Sequence, residues 1–129
     1  MIQTRPILVI ALLAAALGVA APATAQEEGA GPPFETLVQL AGTLGEAHAI
    51  RALCSGDSDQ TWRNYMQNLL DLEAADGGKR SALTSAFNRG YRSQSSRHSQ
   101  CTAELNALEG QIAARGRALA DAVAQSYLD

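Results

Sequence analysis

The chain has 129 residues, with 10 Lys or Arg against 13 Asp or Glu, a net charge of −3 and a sequence pI near 5.3. That length holds one domain with a modest core. The acidic balance argues against a general nucleic-acid binder, which needs basic surface to neutralise phosphates.

The first 25 residues read as a targeting signal. Arg5 is the only charge in Met1–Pro6, Ile7–Ala21 is an apolar run, and Ala23-Thr24-Ala25 offers an A-x-A cleavage site. The run is shorter than the ~20 residues that a spanning helix requires. The expectation is a cleaved signal peptide over residues 1–25, a periplasmic destination and no stable membrane span afterwards. The alternative is an uncleaved anchor. No cysteine follows the apolar run, so a lipid anchor has no attachment point there. Residues 26–33, QEEGAGPP, are a polar, Gly/Pro-rich leader expected to be disordered. The helical domain is expected over residues 34–129.

Helix 1 is expected from Phe34 to Cys54. Phe34, Leu37, Leu40, Ala41, Leu44 and Ala52 fall on one broad stripe at 100° per residue. Val38, Gly42, Gly45 and Ala49 form a small-residue flank where another helix can approach closely. Each glycine costs about 1 kcal/mol of intrinsic helix stability against Ala, which close packing would offset. Gly56 stops the helix. Asp57 stands in capping-box spacing with Gln60 and is expected to cap helix 2. Its inner stripe is Trp62, Tyr65, Met66 and Leu69, with Leu70 and Leu72 on the shoulders. Asp76-Gly77-Gly78 reads as a stop.

Helix 3 is expected from about Lys79, with Leu83, Phe87, Gly90, Tyr91 and Gln94 inward. Residues 93–100, SQSSRHSQ, read as a break or fray. Thr102 is placed to cap helix 4. There Leu105, Leu108, Ile112, Leu119 and Val123 recur at three- and four-residue steps. This stripe would close a monomeric core or form a homodimer seam. No strand-like alternation and no internal repeat occur. The fold class is therefore all-α, a small antiparallel bundle of three to four helices.

Cys54 and Cys101 are the only cysteines. In an exported small domain two cysteines read as one disulfide, closing a loop of about 48 residues and contributing on the order of 4 kcal/mol. Helices running up, down, up put both cysteines at one end. A reactive thiol pair is the alternative, without a C-x-x-C spacing to support it.

Leu44-Gly45-Glu46-Ala47-His48, Arg51-Ala52-Leu53-Cys54, Trp62-Arg63, Phe87-Asn88-Arg89-Gly90-Tyr91-Arg92 and Cys101 together resemble a family of small exported alphaproteobacterial proteins defined by two separated cysteines, with no assigned function. The resemblance covers most of the chain after residue 25. It implies an envelope protein with a disulfide and implies no activity.

Several charges sit on apolar stripes: His48 and Arg51 on helix 1, Asp59 and Glu73 on helix 2. A charge turned inward must be paired or costs several kcal/mol, of the order of ~3. Arg51 with Asp59, and Glu73 with Arg80, flank successive turns and are expected to pair. The functional reading of the first group is a polar pocket lined by His48, Arg51, Asp59 and Trp62, able to hold a small anion or a peptide terminus. His48 with Asp59 would also serve as an acid–base pair. Only Ser55 or Ser58 lie near as nucleophiles, and no G-x-S-x-G, H-E-x-x-H or S-x-x-K constellation occurs. No catalytic residue is assigned. Asp57-Ser58-Asp59 opens like a calcium loop, but Trp62 takes the glycine position and Asn68 the glutamate position. No metal and no cofactor are expected.

Charge is segregated along the chain. Residues 77–103 hold Lys79, Arg80, Arg89, Arg92 and Arg97 and no acid, whereas residues 57–76 hold five acids against Arg63 alone. Mutual compensation across helices 2 and 3 is one reading. The other is that Arg89 and Arg92 point to solvent as a docking patch for an acidic partner surface or an anionic envelope component. The sequence thus leads to an exported, non-enzymatic binding protein. A small-ligand binder or an envelope enzyme built on the His48–Trp62 pocket is the alternative.

Overall fold

In the computed structural model, Ala20 and residues 31–129 are described. The signal peptide expected over residues 1–25 and most of the leader therefore lie outside the described residues, apart from that one alanine. Four helices follow in order: α1 Phe34–Ser55, α2 Thr61–Glu73, α3 Gly77–Ser95 and α4 Ala103–Gln125. Among the described residues there is no strand, and no helix is long and apolar enough to cross a membrane.

α1 is the axis of the molecule, and α2, α3 and α4 all pack on it. Pro33 precedes it, where the missing N–H would have no helical partner, and its carbonyl accepts from Thr36 and Leu37. Gly56 ends it at φ +97°, a conformation L side chains avoid. Between these ends almost every side is covered. Leu37, Leu40 and Leu44 face α2 and α3, and Ala47 and Ile50 face Leu105 and Ile112 of α4.

α1 and α3 run parallel and approach most closely. Gly42 lies against Ala86 and Gly90, and Gly45 against Phe87 and Tyr91. A Cβ on Gly45 or Gly90 would fall inside the carbonyl oxygen of the opposing helix, so only glycine permits this separation. The small-residue flank read from the sequence is this contact. α4 runs antiparallel to α1. Cys101 meets Cys54 at one end, Arg115 meets Glu46 further along, and Gly116 faces Thr43. The disulfide Cys54–Cys101 is formed, with its Cα atoms 4.9 Å apart. The bundle is up–down–up–down, and α3 and α4 do not pack on one another.

Local starts and stops differ from the expectations in three places. Asp57 does not cap α2: the helix begins later, at Thr61, whose N–H donates to Asp59 Oδ1 at 3.1 Å, while Gln60 Nε2 donates to the Asp57 carbonyl at 2.7 Å. Asp76-Gly77-Gly78 is a start as well as a stop, because Asp76 Oδ1 accepts from Lys79 N at 2.7 Å and caps α3 at Gly77. α3 continues through Ser93 to Ser95 before the chain turns, so α3 and α4 are separate helices. Thr102 caps α4 as expected, accepting from Leu105 N at 3.1 Å.

Two residues placed on inner stripes face outward. Tyr65 is 58 % exposed and Phe34 is also exposed, as is the shoulder residue Leu72 at 81 %. α2 is packed mainly on α1, so only Met66, Leu69 and Leu70 are fully covered, with Trp62 half-buried. The α4 stripe is turned inward: Leu105, Ile112 and Val123 are buried in the protein's own core.

Candidate functional site

Three of the four residues expected to share a pocket do meet, around a fourth partner from α4. Glu109 Oε1 accepts from Arg51 Nε at 2.7 Å and from Trp62 Nε1 at 2.9 Å. Arg51 Nη1 reaches Asp59 Oδ2 at 3.4 Å, and its guanidinium lies 5.8 Å from the Trp62 ring centroid. Burial works against the Arg51 charge, but the hydrogen bonds and charges of Glu109 and Asp59 raise its pKa overall. Asp59 is held below its ordinary value, first by the Thr61 hydrogen bonds and then by Arg51. Each charge here already has a partner. The cluster ties α1, α2 and α4 together beside the disulfide, and its polar groups are spent on one another.

His48 does not join that cluster through any hydrogen bond or ion pair. It is 6 % exposed and packs against Phe87 and Tyr91 of α3, with ring centroids 5.8 and 5.7 Å away. Desolvation by burial, helped by the Arg63 charge, lowers its pKa, and Nδ1 has no partner among the described residues.

The pairing expected between Glu73 and Arg80 is replaced by two others. Arg80 Nη2 meets Asp71 at 3.2 Å and its Nη1 reaches the Leu70 carbonyl at 3.5 Å. Glu73 instead accepts from Tyr127 OH at 2.6 Å, which fastens the end of α4 to α2. Tyr127 offers Glu73 a donor from a third segment, and Asp71 takes the place expected of Glu73 beside Arg80.

Two open sites stand out among the described residues. Because α1 separates α3 from α4, a groove of about 470 Å³ runs between them. Gly42, Thr43, Gly90 and Ala86 line it, flanked by Arg89 of α3 and by Arg115, which pairs with Glu46. Arg92 is exposed one turn beyond Arg89 and does not line the groove. Among the described residues neither Arg89 nor Arg92 forms an ion pair. The second site is a cleft of about 300 Å³ at the disulfide end, where the carboxyl ends of α1 and α3 meet Leu105. Among the described residues no group of three His, Cys, Asp or Glu is placed to hold a metal ion.

Glu109 and Arg115 carry much of this geometry and were missed from the sequence, whereas Gln94 is buried on α3 as its inward position predicts. Glu109 follows Leu105 by four residues and precedes Ile112 by three, so it sits on the α4 stripe as visibly as Arg51 does on that of α1. The same inward-charge rule finds it.

No curated protein and no solved structure matches the chain. A family model described as "Protein of unknown function (DUF2385)" matches residues 33–127, which is most of the chain and all four helices. The chain therefore belongs to the family of proteins of unknown function DUF2385.

Proposed function

We propose that this protein is an exported, non-catalytic binding protein of the cell envelope, and that it docks an acidic, extended segment of another envelope protein in the groove between α3 and α4. The groove carries the reading. It is an open trough lined by Gly42, Thr43, Ala86 and Gly90, with the uncompensated charge of Arg89 at its edge and that of Arg92 one turn further along α3. Exposed ion pairs are worth about 0–1 kcal/mol each, so these arginines would set register and on-rate while floor contacts supply most affinity. Export to the periplasm is supported by the signal-like residues 1–25 and by the disulfide, which persists in oxidising compartments. An enzyme at the Arg51 cluster is disfavoured because its carboxylates and its arginine are already bound to each other.

The test is crosslinking in intact cells, comparing the wild-type chain with an Arg89→Glu, Arg92→Glu variant whose helicity is checked by circular dichroism. Loss of one saturable partner, crosslinked through an acidic peptide, is the expected result. Equal capture by both proteins would remove the groove from consideration.

A further inference from the structure

A titratable ring lies in the tightest seam of the molecule. His48 stands one turn beyond Gly45 on α1 and packs against the rings of Phe87 and Tyr91. Gly45 lies against the backbone of those same two residues, so α1 and α3 have no slack there. Nδ1 of His48 has no hydrogen-bond partner among the described residues. A proton added to it meets no acceptor, and a buried charge without a partner is costly.

α3 depends on this seam more than the other helices do. It packs on α1, brushes α2 and does not touch α4. Its first half is anchored by Leu83, Ala86 and Phe87 in the main core. After Gly90 the support thins. Gln94 is the only buried residue there, and its Oε1 is unpaired, which weakens the hold. The cleft of about 300 Å³ leaves Tyr91 and Ser95 facing Ala49, Ala52 and Leu53 across open space. Beyond α3, Cys101 is tied to Cys54. The end of α3 is thus a short segment between a packed half and a covalent tether, with few buried contacts of its own. Such segments open locally before a domain unfolds.

The charges around the ring do not compensate a proton. α3 brings Arg92 beside Tyr91 and has no acid anywhere along it. Arg63 of α2 opposes protonation, whereas Asp57 and Asp59 in the turn favour it. Asp59 is already engaged by Thr61 and Arg51. On α1, Arg51 is held by Glu109 of α4, and Glu46 pairs with Arg115 of α4. Burial and Arg63 together outweigh the two aspartates and hold the ring below its ordinary pKa of 6.5.

We propose that His48 is an acid-triggered latch on α3: once protonated it cannot stay buried against Phe87 and Tyr91, and the part of α3 after Gly90 leaves α1 while the disulfide keeps its far end attached. Ser93, which lines the α3–α4 groove, moves with that part, and so does Arg92. On the docking reading given above, on which this consequence rests, a partner in the groove is released in acid.

The experiment is amide hydrogen exchange of the disulfide-bonded protein, followed by NMR at pH 7.5 and pH 5.0 and expressed as protection factors. At pH 5.0 the amides of residues 91–95 should lose at least about tenfold more protection than those of α2 and α4. The loss should share its midpoint with the titration of the His48 imidazole in the same samples. His48→Phe keeps a ring but takes no proton, and should hold residues 91–95 equally at both pH values. His98→Gln, which removes the other histidine of the chain, should open as the wild type does. Equal loss in all four helices would overturn the proposal. So would a selective loss that persists in His48→Phe, disappears in His98→Gln or has a midpoint unlike that of His48. If His48→Phe does not fold, the comparison of the two wild-type midpoints decides. None of these readings needs a partner, so a groove that docks nothing leaves the latch standing. Partner capture without any opening of α3 would sink the latch and leave the docking intact.

Discussion

Glu109 shows how much one side chain can hold. Among the described residues its carboxylate is the only acceptor for the Trp62 indole N–H and the closest partner of Arg51, and the residue is 8 % exposed. Glu109→Ala would strand both donors at once. The expected loss is about 2–3 kcal/mol in urea unfolding followed by Trp62 fluorescence, and a loss below about 0.5 kcal/mol would contradict the assigned role. His48 gives a pH signature. Its folded pKa lies below the ordinary value of 6.5, so near that pH the unfolded chain binds more protons than the folded one. The stability it contributes is present above pH 6.5 and is lost as pH falls through the folded value. Stability to urea should therefore fall from pH 8 to pH 5 in the wild type and change less in His48→Phe. Asp59 acts lower, below its ordinary 3.8, and leaves that window clear. An identical slope in the two proteins would exclude His48 as its source.

Glycine decides how the elements meet. Gly45 and Gly90 let α1 and α3 touch backbone to backbone, and the obstacle to a Cβ at either is a carbonyl that cannot rotate away. Gly45→Ala should cost about 3 kcal/mol, the upper range for overpacking, because a whole helix must shift. Gly110, in the same fold, has nothing within 4 Å of an added Cβ. Gly110→Ala should raise stability by up to about 1 kcal/mol through helix propensity alone. Melting temperatures of the two variants should move in opposite directions, and a matching shift would refute the packing argument. This contact was legible in the sequence because Gly42, Gly45 and Ala49 share a helical flank beside the leucines. Tyr65 and Phe34 were not: the 3.6-residue period gives the face a residue occupies but not how wide an arc its neighbours cover. Which of Asp57 and Asp59 accepts from the first turn of α2 was equally out of reach. Asp57 has the capping-box spacing with Gln60 and Asp59 does not, and only the path of the turn after Gly56 brings Asp59 to the Thr61 N–H.

For the whole molecule, the disulfide and the central helix divide the work. α1 organises the core, and Cys54–Cys101 fastens the α3–α4 connection to its end. Joining residues 47 apart removes unfolded-state entropy worth about 4 kcal/mol. The Cys54→Ser, Cys101→Ser variant should unfold at correspondingly lower urea, and a shift below about 1 kcal/mol would mean that the core alone holds that end. The up–down topology and the paired cysteines were readable together, since each constrains the other. The two open sites were not, because a groove depends on which helices fail to touch, and no pattern along one helix reports that. The arginines were visible as a charge run, whereas the groove beside Arg89 exists only because α1 keeps α3 and α4 apart. Docking in that groove is the central claim. Its most direct test places a photo-crosslinking residue at Gln39 or Ser93 in the groove, and at Leu72 on the opposite side of the bundle as a control, in intact cells. The expected result is one acidic partner segment captured from both groove positions and none from Leu72. Equal capture from all three positions, or none from the groove, would contradict it.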